Sequence, residues 1–280
     1  MLLTIAMLAG ACGDEPPTDV EPKLIFKFRF DEQQQRLNNF GLPANIPVGH
    51  AAQTPVFRQI GAHYIELAPS PITQLGNGEV VYMAAETTQG GEKAIDFAQS
   101  KTVGEGEVFL SIPLEEVAAG TYTYLRTSLS YQNYDIAFKA NGMSLVGTLA
   151  SFIGYNTYIG THQVNGNDVV VNANRKQGYW AFSIPFWGVI DGQIPEGAIT
   201  VPNPLNDTSP IPIGSCVVTG GFVTPLIITG NETADIVIVM SLSTNNSFEW
   251  TETQGNTIFE PLNGDVPVDM GIRGLVPLIE

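Results

Sequence analysis

The chain is poor in positive charge. Only 12 of its 280 residues are Lys or Arg, against 28 Asp or Glu, and the formal net charge is −16. Because phosphate recognition depends on Lys and Arg, this composition argues against nucleic acid as a partner. Acidity of this size is typical of a well-solvated surface, although loop Asp and Asn side chains also supply the oxygen ligands that calcium prefers.

Histidine and recognisable catalytic motifs are scarce as well. Three His leave few candidates for a general base. The serine nucleophile elbow, the zinc-protease helix, the phosphate-binding Gly loop and the dinucleotide fingerprint are all missing. Carboxylate pairs such as Asp265/Asp269 or Glu249/Glu252 would suit a glycosidase, but sequence spacing does not establish the separation that it needs. We therefore predict a non-catalytic protein that requires no cofactor.

The first apolar segment is too short to span a bilayer, which takes about 20 apolar residues. The run from Met1 ends at Ala9, and Gly10-Ala11-Cys12 and an acidic, Pro-rich stretch follow it. This order resembles the signal peptide and lipobox of a bacterial lipoprotein, with residues 1–11 removed and Cys12 lipidated. The alternative is a buried N-terminal strand with an ordinary thiol.

The lipoprotein interpretation predicts where the protein is located. Residues 12–22 become an acidic, extended tether on the lipidated Cys12. Asp14 and Glu15 resemble the export signals of surface lipoproteins, and Gly13 is not the Asp that retains lipoproteins at the inner membrane. We expect an outer-membrane protein that faces the cell surface, with the periplasmic face as the alternative. Cys216, in an apolar run, is expected to be a buried thiol.

Frequent turn signals indicate the fold class. The chain contains 29 Gly and 19 Pro spread along its length, and from Gly76 onward turn signals recur every 8 to 12 residues or so, which is typical of sandwiches and barrels. We predict an all-β fold, an antiparallel sandwich of the Ig-like, transthyretin-like or jelly-roll type, or two packed sandwiches. The two halves or domains would be residues 23–140 and 141–280.

Local patterns predict individual strands and turns. Residues 24–30 alternate between apolar and basic side chains, which indicates a first strand. Residues 56–67 read as a strand whose apolar residues lie at even positions as far as Tyr64 and at odd positions from Ile65, which indicates a β-bulge near Gly61. Asn165-Gly166 is a hairpin turn signal.

One segment carries a family resemblance. Residues 108–126 hold a strand, then Pro113, Ala119-Gly120-Thr121-Tyr122 and finally Leu125-Arg126. This order is similar to that of the MbnP-like family of Gram-negative surface and periplasmic lipoproteins with sandwich folds, and the similarity covers residues 24–138. Because the founding members of that family bind copper through His and a modified Trp, the resemblance implies copper as a candidate cofactor.

The chain offers ligands for two metals. Imidazole and thioether groups suit copper, and these groups lie at His50, His63, His162 and Met83. Clustered oxygens suit calcium, and such clusters lie at Asn203, Asn206 and Asp207 and at Asn165, Asn167 and Asp168, where ordinary Asx turns are the competing interpretation. The residues predicted as metal ligands are His50, His63 and Asp207.

Aromatic side chains offer another kind of site. Sugar rings stack on exposed aromatic faces, whereas most aromatic residues of a sandwich lie in its core. The residues predicted for ligand binding are Tyr155, Tyr158, Trp187 and Trp250.

Three functional hypotheses follow. The first is a lipid-anchored sandwich that acts as a non-catalytic binding or assembly subunit of an outer-membrane complex. Its partners would be other outer-membrane or surface proteins, and it is free to form oligomers. The second is a copper-binding protein of the MbnP-like kind, which requires a tight site that depends on His63. The third is a glycan-binding module, which requires an exposed row of aromatic rings beside a carboxylate pair.

Overall fold

The computed structural model describes residues 21–38, 41–194 and 210–280, and these ranges consist mainly of β-strands. The predicted all-β sandwich is confirmed. Short 3₁₀ helices lie between strands at Phe97–Gln99, Leu114–Glu116 and Pro261–Asn263. In the described ranges, no helix is long and apolar enough to cross a membrane.

The strands, in chain order, are β1 Lys23–Asp31, β2 His50–Gln53, β3 Val56–Ala68, β4 Glu79–Met83, β5 Glu86–Thr87, β6 Ala94–Asp96, β7 Thr102–Val103, β8 Val108–Pro113, β9 Gly120–Ala140, β10 Met143–Phe152, β11 Asn156–Val164, β12 Asn167–Lys176, β13 Tyr179–Ile184, β14 Gly188–Gln193, β15 Cys216–Ile228, β16 Ile236–Ser243, β17 Phe248–Thr251, β18 Val266–Asp269 and β19 Arg273–Ile279.

These strands form four sheets. The largest has β14, β13, β10, β9, β3 and β4 as neighbours in that order, with β15 pairing with β9 and β7 with β3. The others have the orders β19-β16-β1-β8, β12-β11-β6-β5 and β18-β17-β2. Pairing is antiparallel except between β1 and β16 and between β6 and β11. Strands of the predicted segments 23–140 and 141–280 share sheets, and the division between the segments falls in the β9–β10 turn.

The fold is organised around β9. One edge of this strand pairs first with β15 and then with β10, while the other edge pairs with β3. At Ser130 the register with β3 shifts, and the inward-facing positions change from odd to even: Leu125 and Leu129 precede the shift, and Tyr134 and Ile136 follow it. The shift lets one strand contribute to several cores.

Three main cores surround the large sheet. The first lies against the β19-β16-β1-β8 sheet and contains Leu24, Phe26 and Phe28, as the alternation in β1 predicted. The second lies against the β18-β17-β2 sheet. The third is on the opposite face, against the β12-β11-β6-β5 sheet. Cys216 is buried in the first core, as expected.

The bulge in β3 is present, but it turns Tyr64 outward. Register shifts occur between Gly61 and Tyr64, so the predicted bulge is confirmed. Tyr64 was expected on the same face as Ile60. It lies instead in a small outer cluster, because the extra residue reverses the alternation, while Ile60 and Ile65 lie in the first core.

A buried ion pair lies beside Tyr64. Glu66 and Arg126 are directly opposite each other on β3 and β9, and both side chains are 0% exposed. Oε2 of Glu66 lies 3.6 Å from Nη1 of Arg126, while Oε1 accepts hydrogen bonds from the N–H groups of Gly76 and Gly78 at 3.0 and 2.6 Å. The pair therefore fixes the loop that follows β3 as well as the two strands.

The two ends of β9 are far apart. At its beginning, Gly120 pairs with Ile228, and nearby the N–H of Leu114 donates to the carbonyl of Pro22 at 2.8 Å. At its end, β10 connects it to β13 and β14. Because β9 has 21 residues, it extends over roughly 65 Å. The start of the described chain and the β13–β14 turn thus lie near opposite ends of this strand.

Candidate functional site

Two of the predicted site residues, His63 and Tyr155, meet at a carboxylate. His63 is the extra residue of the β3 bulge, so its side chain shares the outer face with Tyr64. Nε2 of His63 lies 3.3 Å from Oε1 of Glu86. The hydroxyl of Tyr155 donates to the same oxygen at 2.7 Å, and Nζ of Lys93 lies 2.6 Å from Oε2.

The electrostatics of this cluster keep Glu86 ionised and His63 neutral near pH 7. Burial opposes ionisation of Glu86, but hydrogen bonds from Lys93 and Tyr155 outweigh it and lower the pKa of the carboxyl. Burial also lowers the pKa of His63, which is 0% exposed, despite the attraction of Glu86. Burial and the Glu86 carboxylate raise the pKa of the Tyr155 hydroxyl.

The cluster holds segments together and presents no reactive group. Both oxygens of Glu86 are engaged, and His63 is buried, so neither is placed to take a proton from a substrate. In the part of the chain that the structure describes, no three His, Cys, Asp or Glu side chains are grouped so that they could hold a metal ion. A structural link between β3, β5 and Tyr155 is the interpretation that the geometry favours.

His50 lies in a different cluster. It begins β2 and is paired with Thr251 of β17. Nδ1 of His50 lies 2.5 Å from Oε1 of Glu249, and Nη2 of Arg36 lies 2.5 Å from Oε2. Burial opposes ionisation of Glu249, but hydrogen bonds from His50 and Arg36 dominate and lower its pKa. A copper site that joins His50 to His63 does not fit, because a different carboxylate holds each imidazole.

Of the two oxygen clusters predicted for calcium, the one that the structure describes forms a β-turn. Asn203, Asn206 and Asp207 lie outside the described residues, so Asp207 stays a prediction. In the other cluster, Asn165 and Gly166 have φ values of 48° and 78° and form the turn between β11 and β12, which confirms the predicted hairpin. Asp168 accepts a hydrogen bond from Gln163 within that hairpin.

The four predicted aromatic residues do not form one platform. Trp250 is 1% exposed and packs against Phe248 and Phe259 in the second core. Tyr155 is bound to Glu86, and Tyr158 is only partly exposed. Trp187, at 53% exposed, is the one of the four with a largely accessible ring.

Trp187 lies on a hairpin tip, Pro185-Phe186-Trp187, between β13 and β14. The N–H of Trp187 donates to the carbonyl of Ile184 at 3.1 Å, so Pro185 and Phe186 are the central residues of a β-turn. Phe186 has a φ of 69°, a conformation that a type II turn usually assigns to Gly or Asn. Holding a bulky residue there costs roughly 1–2 kcal/mol. Phe186 is nevertheless 97% exposed.

This tip is the candidate functional site, and the sequence predicted one of its two exposed rings. Trp187 was predicted for ligand binding, whereas Phe186 was not. The available signal was the order Pro-Phe-Trp-Gly directly after an alternating strand, which places two aromatic rings in a turn where polar residues and Gly are usual. Residues 184–190 contain no charged side chain.

His162, the third histidine among the copper candidates, is a core residue with a pH-dependent effect. It is 4% exposed and packs against Phe152 and Tyr179. Burial lowers its pKa to about 4, despite the attraction of Asp191.

We expect the stability of the fold to fall as the pH is lowered from about 6.5 to 4, since in that interval the unfolded chain binds a proton at His162 and the folded chain does not. Urea unfolding at pH 7 and pH 4.5 measures this effect. The His162→Phe variant, which keeps a ring and removes the titration, should lose less stability between the two pH values than the unaltered chain. Equal losses in the two proteins would show that His162 does not contribute.

Comparison with known proteins finds no matching family model, no matching curated protein and no matching solved structure.

Proposed function

We propose that the protein is a lipid-anchored, non-catalytic binding subunit at the outer membrane. The observation that carries the proposal is the Phe186–Trp187 tip, where two apolar rings face water on a strained turn. Exposed rings contribute nothing to folding and backbone strain opposes it, and both features are typical of sites where a second molecule binds. A tip of this kind supports a role in binding.

The polar clusters support the non-catalytic part of the proposal. A general base needs a free basic atom within reach of the substrate. The oxygens of Glu86 are bound by Lys93 and Tyr155, and those of Glu249 by Arg36 and His50. These two carboxylates are committed to internal contacts, so neither supplies such a base.

The anchor is proposed from sequence alone, since Cys12 lies outside the described residues. Lipid on Cys12 would attach the chain to the membrane through residues 13–22, and Pro22 lies near the beginning of β9. With the body outside the bilayer, its exposed surfaces would meet either lipid or other outer-membrane and surface proteins.

Membrane fractionation tests the anchor. We expect the unaltered protein to sediment with membranes and to resist extraction with salt, because an acylated Cys12 holds it by its hydrocarbon chains. The Cys12→Ser variant should be found mostly in the soluble fraction.

The matched control is Cys216→Ala, which removes the buried thiol and should leave the protein with the membranes. If Cys12→Ser sediments as firmly as the unaltered protein, the proposed anchor is wrong.

A further inference from the structure

The apolar surface at the hairpin tip extends beyond the two aromatic rings. Ile190 of β14 is 50% exposed and Val146 of β10 is 56% exposed. Thr148 pairs with Ser183, so Val146, two residues earlier, comes next to the tip. Ile190 pairs with Phe182 of the second core, whereas Val146 has the alternation of Ala150 in the third core, so these two residues flank the tip on opposite faces of the sheet. Apolar side chains thus lie on both faces beside the protruding tip, and its segment 184–190 carries no charged side chain.

We infer that this tip inserts into a neutral lipid surface, at the boundary between headgroups and acyl chains. The inference rests on the proposed function, in which the protein works at a membrane. Trp is enriched at membrane interfaces. Amphipathic elements that bind there bury apolar side chains about 5–10 Å deep. A protruding turn with Phe186 and Trp187 at its apex provides side chains of this kind at the depth required.

Charge favours neutral lipid over a second copy of the chain and over an anionic lipid surface. A second copy of the chain would bring two bodies of formal net charge −16 together, and this repulsion opposes self-association through the tip. The same charge repels an anionic bilayer. A zwitterionic surface avoids both penalties and still accepts the uncharged tip.

The position of the tip also predicts an orientation. Two aromatic side chains give only weak, reversible membrane binding, and stable attachment takes a second signal. Lipid at Cys12 would be that signal. The described chain starts near the beginning of β9 and the tip lies near its end, so the use of both contacts would bring the end of β9 to the membrane, while the tether sets how far its beginning lies from it.

Trp187 fluorescence on vesicles tests the inference. The mature chain, residues 12–280, is made without lipid and coupled through the Cys12 thiol to a maleimide lipid in phosphatidylcholine vesicles; Cys216 is 7% exposed and thus protected. The Trp fluorescence of the coupled protein is compared on vesicles of plain and of brominated phosphatidylcholine. The Trp187→Phe variant gives the emission of the other two Trp, which is subtracted to obtain that of Trp187. We expect brominated lipid to quench Trp187.

Two matched variants make the test specific. Phe186→Asn keeps a residue that tolerates positive φ, so the fold is retained while the inserted fraction should fall about tenfold or more. Val223→Asn, at a residue that is 88% exposed on β15, should leave quenching unchanged. Replacing a third of the phosphatidylcholine with phosphatidylglycerol should reduce insertion at low salt.

Trp187 emission that is equal on plain and brominated lipid would overturn the inference. An equal loss of quenching in Phe186→Asn and Val223→Asn would overturn it too. Chemical coupling makes the outcome independent of natural lipidation. Failure here therefore leaves the Cys12 anchor standing, whereas failure of the fractionation experiment removes the anchor and the orientation that depends on it.

Discussion

Replacing Glu66 with Ala is expected to destabilise the fold by about 3–5 kcal/mol, because it leaves the charge of Arg126 buried without its partner. Arg126 is 0% exposed, and its Nη2 donates to the carbonyl of Pro71 at 3.2 Å. The variant also removes the acceptor for the N–H groups of Gly76 and Gly78. Urea unfolding at pH 7 measures the change in unfolding free energy.

Two further variants separate the charge from the hydrogen bonds. Glu66→Gln keeps a side-chain oxygen that accepts from the loop N–H groups and removes the charge. Its loss of unfolding free energy therefore shows how much of the destabilisation in Glu66→Ala comes from the charge. The double variant Glu66→Leu/Arg126→Leu removes both charges and should recover much of the loss, because apolar replacement of a buried ion pair is often close to neutral. A loss below about 1 kcal/mol in Glu66→Ala would contradict the assigned burial of this pair.

Trp250→Ala should cost about 3–5 kcal/mol, the range for removing a large aromatic residue from a packed core. Trp250 is 1% exposed and its ring centroid lies 5.5 Å from that of Phe259 and 5.9 Å from that of Phe248. Truncation would leave a cavity between β17 and the end of β9. Urea unfolding, followed by circular dichroism so that the loss of Trp fluorescence does not interfere, measures the change.

The same truncation at Trp187 is the control. Because that ring is 53% exposed, Trp187→Ala should change the unfolding free energy by about 0.5 kcal/mol or less. Similar losses in the two variants would show that the assignment of one Trp to the core and the other to the surface is wrong.

The features that the sequence predicted correctly are local ones. The alternation in β1, the bulge in β3 and the Asn165-Gly166 hairpin each depend on residues within a short stretch. The direction of Tyr64 was wrong because it depends on where the extra residue falls, which the apolar pattern alone did not fix. The reach of β9 to Ala140 was not predicted. Residues 125–134 are buried on both faces and lack simple alternation, which conceals the continuity of the strand, although alternation returns from Tyr134 to Ala140.

The candidate sites depend on contacts between distant parts of the chain. His50 meets Glu249 across 199 positions of sequence, and His63 meets Glu86 only because a bulge turns it outward. Trp250 was predicted for ligand binding because sequence does not distinguish a core ring from an exposed one. The exposure of Trp187 agrees with the prediction of a ligand-binding ring. The role of its neighbour Phe186 depends on a backbone conformation that the sequence pattern does not indicate.

The intact mass of the protein extracted from membranes tests the central claim most directly. The account predicts a chain that begins at Cys12 and is heavier than residues 12–280 by a diacylglyceryl group and a further acyl chain, with both additions lost in Cys12→Ser. A mature chain that keeps residues 1–11, or one that begins at Cys12 with an unmodified thiol and amine, would contradict the account.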